Sequence, residues 1–200
     1  TLGCALDTLV VITAPDSLYL SAIITPPQCF GGSDGGIQID SISGGTAPYQ
    51  FDWGQGVTSS SSLKNLSSGT YCVTLTDQNG CSLVKCFEMM DPEAIHIDSF
   101  TVIEPKCYSG SDAEIQAYVS GGTGMLNYAW SDPNMQIGVK ANQLSAGIYQ
   151  LIATDAFGCM AIDSVRIGQP DSFYIEYQVK PVTCYGDEDG NVNITGKGGK

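Results

Sequence analysis

The sequence predicts an all-β chain built of small tandem sandwich units, and three observations carry that reading. First, a cassette of about 77 residues recurs. Cys29, Cys107 and Cys184 each open a similar segment, Gly44-Gly45, Gly121-Gly122 and Gly198-Gly199 follow at matching offsets, and Gly3-Cys4, Gly80-Cys81 and Gly158-Cys159 keep the same rhythm. A fixed period of this length marks an array of similar units. Second, each cassette reads as short alternating runs punctuated by Gly, Pro and Asn, the pattern of a sandwich. Third, 42% of the residues are apolar, enough for cores, while only 14% are charged, against about 25% in soluble domains. The surface must therefore be built largely from Ser, Thr, Asn, Gln and Gly.

The register of the repeat places Thr1 near the end of one unit and Lys200 just past the Gly-Gly pair of another. The expectation is a window on a longer array: residues 1–15 close a preceding repeat, 16–92 and 93–170 are whole repeats, and 171–200 open a following one. In the first whole unit strands are expected near 17–25, 36–43, 48–54, 61–66, 70–77 and 82–90, with a short extra strand around 56–60. The penultimate strand alternates, with Tyr71, Val73 and Leu75 on one face and Cys72, Thr74 and Thr76 on the other. Asp77-Gln78-Asn79-Gly80 then supplies an Asn-Gly hairpin signal into the last strand. Trp53 and Trp130 stand where a sandwich of immunoglobulin type has its core tryptophan. Leu66-x-x-Gly69-x-Tyr71 and Leu144-x-x-Gly147-x-Tyr149 match its tyrosine corner. The predicted fold is a string of immunoglobulin-like β-sandwich repeats arranged end to end.

Charge and composition exclude several functions. A net charge of −13 argues against a phosphate-backbone partner, which needs clustered Lys and Arg. Runs such as Leu9-Val10-Val11-Ile12 fall far short of the roughly 18 apolar residues of a membrane span, so this segment is not expected to insert into a bilayer. Catalysis needs a tuned acid, base or nucleophile in a cleft, and the chain offers a single histidine, His96. Of the acidic run Gly186-Asp187-Glu188-Asp189-Gly190, only the last Asp recurs, as Asp34 and Asp112. No enzyme activity and no cofactor are expected. Cys72, Cys81 and Cys86 form the one zinc candidate, but they lack a C-x-x-C pair. Asp34, Asp112 and Asp189, with Asp77 and Asp155, suit either calcium at repeat junctions or turn capping through their own backbone; capping is the usual role of Asp beside Gly and is favoured.

The ordered string Cys29-Phe30-Gly31-Gly32-Ser33-Asp34-Gly35-Gly36, Gly44-Gly45-Thr46-Ala47-Pro48-Tyr49, Trp53, Leu66-Ser67-Ser68-Gly69-Thr70-Tyr71 and Thr76-Asp77-Gln78-Asn79-Gly80-Cys81 resembles the SprB repeat of very long surface adhesins of Bacteroidota. The second unit departs from it at Gly124-Met125-Leu126-Asn127-Tyr128, without the Pro-Tyr step, and at Ser109-Gly110-Ser111. The resemblance implies an extracellular, cell-surface filament or stalk, exported by the type IX pathway and serving adhesion or gliding motility. Its partners would be neighbouring repeats of the same chain, surface polysaccharide or other filament chains. The competing reading is a secreted carbohydrate-binding sandwich, with Tyr108, Tyr174, Tyr177 and Tyr185 as candidate stacking platforms. The resemblance also implies a glycoprotein with O-glycans at Asp-Ser/Thr-apolar triplets, here at Thr8, Ser17, Ser41 and Ser164, with Ser99 and Ser172 before Phe.

Eight cysteines at repeating offsets read as a disulfide framework in an oxidising setting. Cys72 and Cys86 are symmetric about residue 79 and share the outward parity of their strands, so a cross-strand bond is expected. Gln150 and Ser164 replace the pair together in the second unit. For the recurrent cysteines, the stretch from Cys81 to Pro92 spans about 36 Å at about 3.3 Å per residue, which puts Cys29 and Cys81 at opposite poles of one sandwich. A Cys29–Cys159 bond between consecutive units is therefore favoured, with Cys29–Cys81 and Cys107–Cys159 as the alternative.

Overall fold

A computed structural model describes Leu9 and residues 14–54, 57, 58 and 60–199, and divides the chain into two compact units, Thr1–Pro92 and Glu93–Lys200. Among the described residues there is no helix. The first unit contains β1 (Tyr19–Thr25), β2 (Gly35–Ser43), β3 (Gln50–Asp52), β4 (Val57–Thr58), β5 (Ser62–Leu66), β6 (Gly69–Thr76) and β7 (Ser82–Met89). They form two antiparallel sheets, β1-β2-β5 and β4-β3-β6-β7. Consecutive strands β2 and β3 fall in different sheets, as do β5 and β6, which is the crossing pattern of an immunoglobulin-like sandwich. These strands match the sequence expectation to within about two residues at each end, the usual uncertainty of an element boundary.

The core follows from strand alternation. Val73 and Leu75 of β6 are fully buried, and they pack with Leu20, Ile37, Ile39, Phe51, Phe87 and Met89 from the other strands. Cys72, just before Val73 and on the opposite face, is exposed. Two inward rows of apolar side chains thus meet between the sheets, and the removal of that surface from water drives their association.

The second unit repeats the plan with β8 (His96–Ile103), β9 (Ala113–Ser120), β10 (Asn127–Trp130), β11 (Lys140–Leu144), β12 (Gly147–Thr154) and β13 (Met160–Ile167). Its sheets are β11-β9-β8 and β10-β12-β13. A further antiparallel pair, β14 (Tyr174–Lys180) and β15 (Asn191–Lys197), follows. The core here is filled differently. Trp130 is buried among Ala113, Ala117 and Ala141, with the Phe100 ring tilted against it at 6.0 Å. Small alanines leave the volume that the indole fills, as close packing demands.

Trp53 does not share that place. It follows the end of β3, is only partly buried, and packs on the margin of a core already occupied by Phe51 and Phe87. The equivalents of those two rings in the second unit are Tyr128 and Val165, both partly buried. The two repeats therefore reach similar packing with different aromatic residues, Trp53 lying against its core and Trp130 within its own.

The Gly-Gly pairs explain themselves at Gly44 and Gly121. Both have positive φ, and a Cβ at either would strike the carbonyl of Ser17 or Ala94 in the segment leading into the first strand. The second glycine of each pair donates its N–H to that entry segment, Gly45 to Asp16 O, Gly122 to Glu93 O and Gly199 to Asp171 O, each at 3.2 Å. Only glycine combines this backbone twist with so close an approach.

Candidate functional site

The recurrent chemistry of the chain gathers in two places, the aspartates at the turns and the cysteines. Asp77 begins the Asn-Gly turn between β6 and β7. Its carboxylate accepts hydrogen bonds from Asn79 N at 2.9 Å and Cys81 N at 2.8 Å within the turn, and from Thr46 N at 2.9 Å just after the Gly-Gly pair. Asp155 does the same in the second unit, accepting from Phe157 N at 2.9 Å, Cys159 N at 3.0 Å and Thr123 N at 3.0 Å. One carboxylate thereby ties a hairpin turn to a loop some thirty residues earlier in sequence. Burial raises the pKa of both groups, yet the backbone N–H donors stabilise the charged form more, and the net effect holds both carboxyls below their ordinary value.

Asp34, Asp112 and Asp189 pin a second recurrent loop, the one after the first strand of each cassette. They accept from Gln28 N at 3.0 Å, Lys106 N at 3.2 Å and Thr183 N at 2.9 Å, and Asp189 also from the Thr183 hydroxyl. Every recurrent aspartate thus caps backbone. Asp132, which no repeat offset singled out, is buried and accepts from Asn134 N, Gln136 N and the Gln136 side chain. Its local signal was the turn-forming Ser131-Asp132-Pro133-Asn134. Tyr71 and Tyr149 donate their hydroxyls to Ser67 O at 2.9 Å and Ser145 O at 3.0 Å, four residues earlier in each case. Trp53 and Trp130 donate their indole N–H groups to Ser60 O and Gly138 O.

The cysteines are in two oxidation states. Cys72 and Cys86 lie directly opposite each other in the β6–β7 register and are joined by a disulfide with a Cα separation of 4.0 Å. Cys29 and Cys159 are each disulfide-bonded. Cys81, Cys107 and Cys184 are exposed free thiols, so neither Cys29–Cys81 nor Cys107–Cys159 is formed. Two of the three cysteines weighed as a zinc cluster are consumed in one disulfide, and an oxidised pair has no thiolate to offer a metal. Cys4 lies outside the described residues. This disulfide chemistry fits an oxidising, extracellular setting.

Of the candidate modification sites, Ser17, Ser41 and Ser164 are all exposed, and the Ser41 hydroxyl lies 2.8 Å from that of Ser21 on the neighbouring strand. Thr8 lies outside the described residues. Tyr108, Tyr174, Tyr177 and Tyr185 are each more than half exposed. Tyr108 borders a surface groove of about 880 Å³ in the second unit, with Ile148, Arg166, Gln169 and Asp171 also along its walls. Gln169 is already engaged there, accepting from Ser109 N at 3.0 Å.

Comparison with known proteins places the repeat. A family model described as the SprB repeat matches the chain at two places, residues 21–58 and 99–135, which supports the resemblance to that repeat. No curated protein matches the chain. Among solved structures, murine CEACAM1b is similar over 76% of this chain and 100% of its own, at 13% identity and a TM-score of 0.31. The fibronectin(III)-like modules of Clostridium thermocellum CbhA are similar over 76% of this chain and 95% of theirs, at 13% identity and a TM-score of 0.31. DIP-gamma IG1+IG2 is similar over 77% of this chain and 98% of its own, at 12% identity and a TM-score of 0.32.

Proposed function

We propose that this chain, as a carrier of two SprB-type repeats, is a stalk segment of a long extracellular surface filament that serves adhesion and gliding and is exported by the type IX pathway. The observation that carries the reading is the repeated construction itself. Each whole repeat closes its own two-sheet core, and the residues that recur most faithfully, Gly44 and Gly121, Asp77 and Asp155, Tyr71 and Tyr149, all brace loops. A scaffold that repeats its bracing residues is built to propagate a structure along an array. The reading is of a structural module without enzymatic activity.

A Cys29–Cys159 bond between consecutive repeats belongs to this proposal. It is supported by the oxidised state of both residues beside the free thiols of Cys81 and Cys107. Such staples would share pulling force along the filament. A non-reducing peptide map is expected to link the Cys29 peptide to the Cys159 peptide; a link from either to another cysteine overturns the assignment. Glycosylation at Thr8, Ser17, Ser41 or Ser164 is the accompanying expectation, supported by the exposure of the three described hydroxyls, and an intact mass equal to the bare polypeptide would dismiss it.

A glycan array probed with the 200-residue chain decides between stalk and carbohydrate-binding module. The stalk reading expects a blank array. Reproducible binding that is lost on Tyr108→Ala would move the function to the groove beside that ring.

A further inference from the structure

In β12 and β13 the side chains that do not enter the core alternate onto the solvent face, and the strand register aligns them into rows. Ile162 lies opposite Ile152, Ile152 opposite Ala129, and Ala129 forms a bridge with Ile137. The result is an apolar row that crosses the whole sheet. Met160, opposite Thr154, flanks it on the same face, and Ile148, opposite Arg166, stands beyond the intervening Gln150–Ser164 pair. These side chains stand in solvent: Ile137 is 82% exposed, Ile148 74%, Met160 66% and Ile162 55%.

The first repeat does not have this face. There Val84 lies opposite Thr74 and Thr74 opposite Asp52, while Glu88 lies opposite Thr70 and the Cys72–Cys86 disulfide occupies the middle. At equivalent positions the second repeat has Met160 for Ser82, Ile152 for Thr74, Ala129 for Asp52, Ile148 for Thr70 and Arg166 for Glu88. Two carboxylates are gone and four side chains have become more apolar on one face of one repeat. An exposed patch of this kind on a folded domain marks an interaction surface.

We propose that this face of the second repeat is a self-association surface, on which a second copy of the same chain docks. Charge selects the occupant. Each copy carries a net −13 and one arginine, Arg166, so two copies repel over most of their surface and do so least where the strands of a face present Arg166 and no carboxylate, Asp171 lying beyond the end of β13. A polysaccharide is a poor occupant, because Ile137, Ala129, Ile152 and Ile162 offer its hydroxyls no side-chain donor or acceptor, and burying them unpaired is costly. Apolar row against apolar row, related by a two-fold axis, leaves no such group stranded.

Area sets the strength. Three inter-strand spacings by six residue steps give a face of about 15 Å by 20 Å, or about 300 Å². That is well under the roughly 800 Å² per partner of a stable specific interface, so a single pair of faces holds weakly, with a Kd on the order of 1 mM. In a long array the same weak contact recurs and gains by avidity, a consequence that rests on the stalk reading, whereas the contact itself does not.

The test is an amide chemical-shift titration of the 200-residue chain against its own concentration, up to about 1 mM to reach the expected Kd, with the free thiols of Cys81, Cys107 and Cys184 blocked by iodoacetamide. Concentration-dependent shifts are expected at Ile152, Met160, Ile162 and their neighbours. They should disappear in the Met160→Asp/Ile162→Asp double variant and persist in Val84→Asp, the same position in the first repeat. If the double variant loses its dispersed spectrum, Ile137→Lys, whose side chain lies outside the core, takes its place. Shifts that map to β14 and β15 instead, or none at all over the full range, overturn the proposal. So does a response of these amides to cellohexaose in a chain that stays monomeric, which would assign the face to carbohydrate. The sugar-free titration leaves the glycan array that tests the stalk reading untouched, so the two can fail separately; only the cellohexaose outcome bears on both.

Discussion

Replacing Cys72 and Cys86 by the residues the second repeat uses, Cys72→Gln with Cys86→Ser, isolates what the disulfide contributes. Both cysteines are exposed on the outer face of their strands, so the substitution opens no cavity and strands no buried polar group. What is lost is the constraint on the unfolded chain. The bond closes a loop with a sequence separation of 14, for which the chain-entropy relation gives about 3 kcal/mol at 25 °C. Hydrogen exchange read by mass spectrometry suits the measurement, because it follows the two repeats separately. Amides of β6 and β7 at Val73 and Leu75, protected in the oxidised parent, should exchange about 150-fold faster in the variant, the factor that corresponds to about 3 kcal/mol. Amides of β12 and β13 serve as the internal reference and should not change. In dithiothreitol the parent and the variant should converge. A variant that remains less protected than the parent under reducing conditions would show that the side chains, and not the covalent bond, carry the difference. A change under about 1 kcal/mol would show that the hairpin is already held together in the unfolded ensemble.

The two tryptophans should differ in weight. Trp130→Ala, which empties a buried site, is expected to cost about 3–5 kcal/mol, and Trp53→Ala, at the core margin, less than half of that; urea unfolding of the two variants compares them. Gly121→Ala, which drives a Cβ into the Ala94 carbonyl, should destabilise markedly more than Gly80→Ala, where φ is also positive but nothing lies within 4 Å; melting temperatures of the pair provide the check. The depressed carboxyls of Asp77 and Asp155 bind protons less readily in the folded state than in the unfolded one. Their contribution is therefore fully present above the ordinary carboxylate range and is lost as pH falls below about 4, through the depressed folded-state values. Urea midpoints from pH 7 down to pH 2 should show this loss, and an Asp77→Asn/Asp155→Asn variant should show a shallower decline; an unchanged slope would mean that other acids govern it.

Much of this protein was written locally. Alternation alone separates Val73 and Leu75 from Cys72 and Thr74, and an Asn-Gly turn centres the hairpin, so the cross-strand placement of Cys72 and Cys86 follows from counting outward from residue 79. The Gly-Gly pairs and the recurring aspartates stand out by their period alone. Local pattern specifies a strand's two faces and its turns because both depend on neighbours two to four residues away.

What lay beyond that range needed the packed sheets. No pattern within the Asn-Gly turn says that Asp77 reaches the amide of Thr46, because that contact exists only once β2 and β3 have crossed between sheets and brought the two loops together. The equivalent tryptophans took different places for the same reason: an indole is buried only where the facing positions leave room, which Ala113, Ala117 and Ala141 do and the core beside Trp53, already filled by Phe51 and Phe87, does not. The apolar row from Ile162 to Ile137 is likewise invisible along the chain, since its members are separated in sequence and meet only through the pairing of β10, β12 and β13. Sequence set the alternation of each strand; the tertiary register decided which side chains stand side by side, because hydrogen-bonded pairing aligns residues by their place in the sheet and not by their distance along the chain.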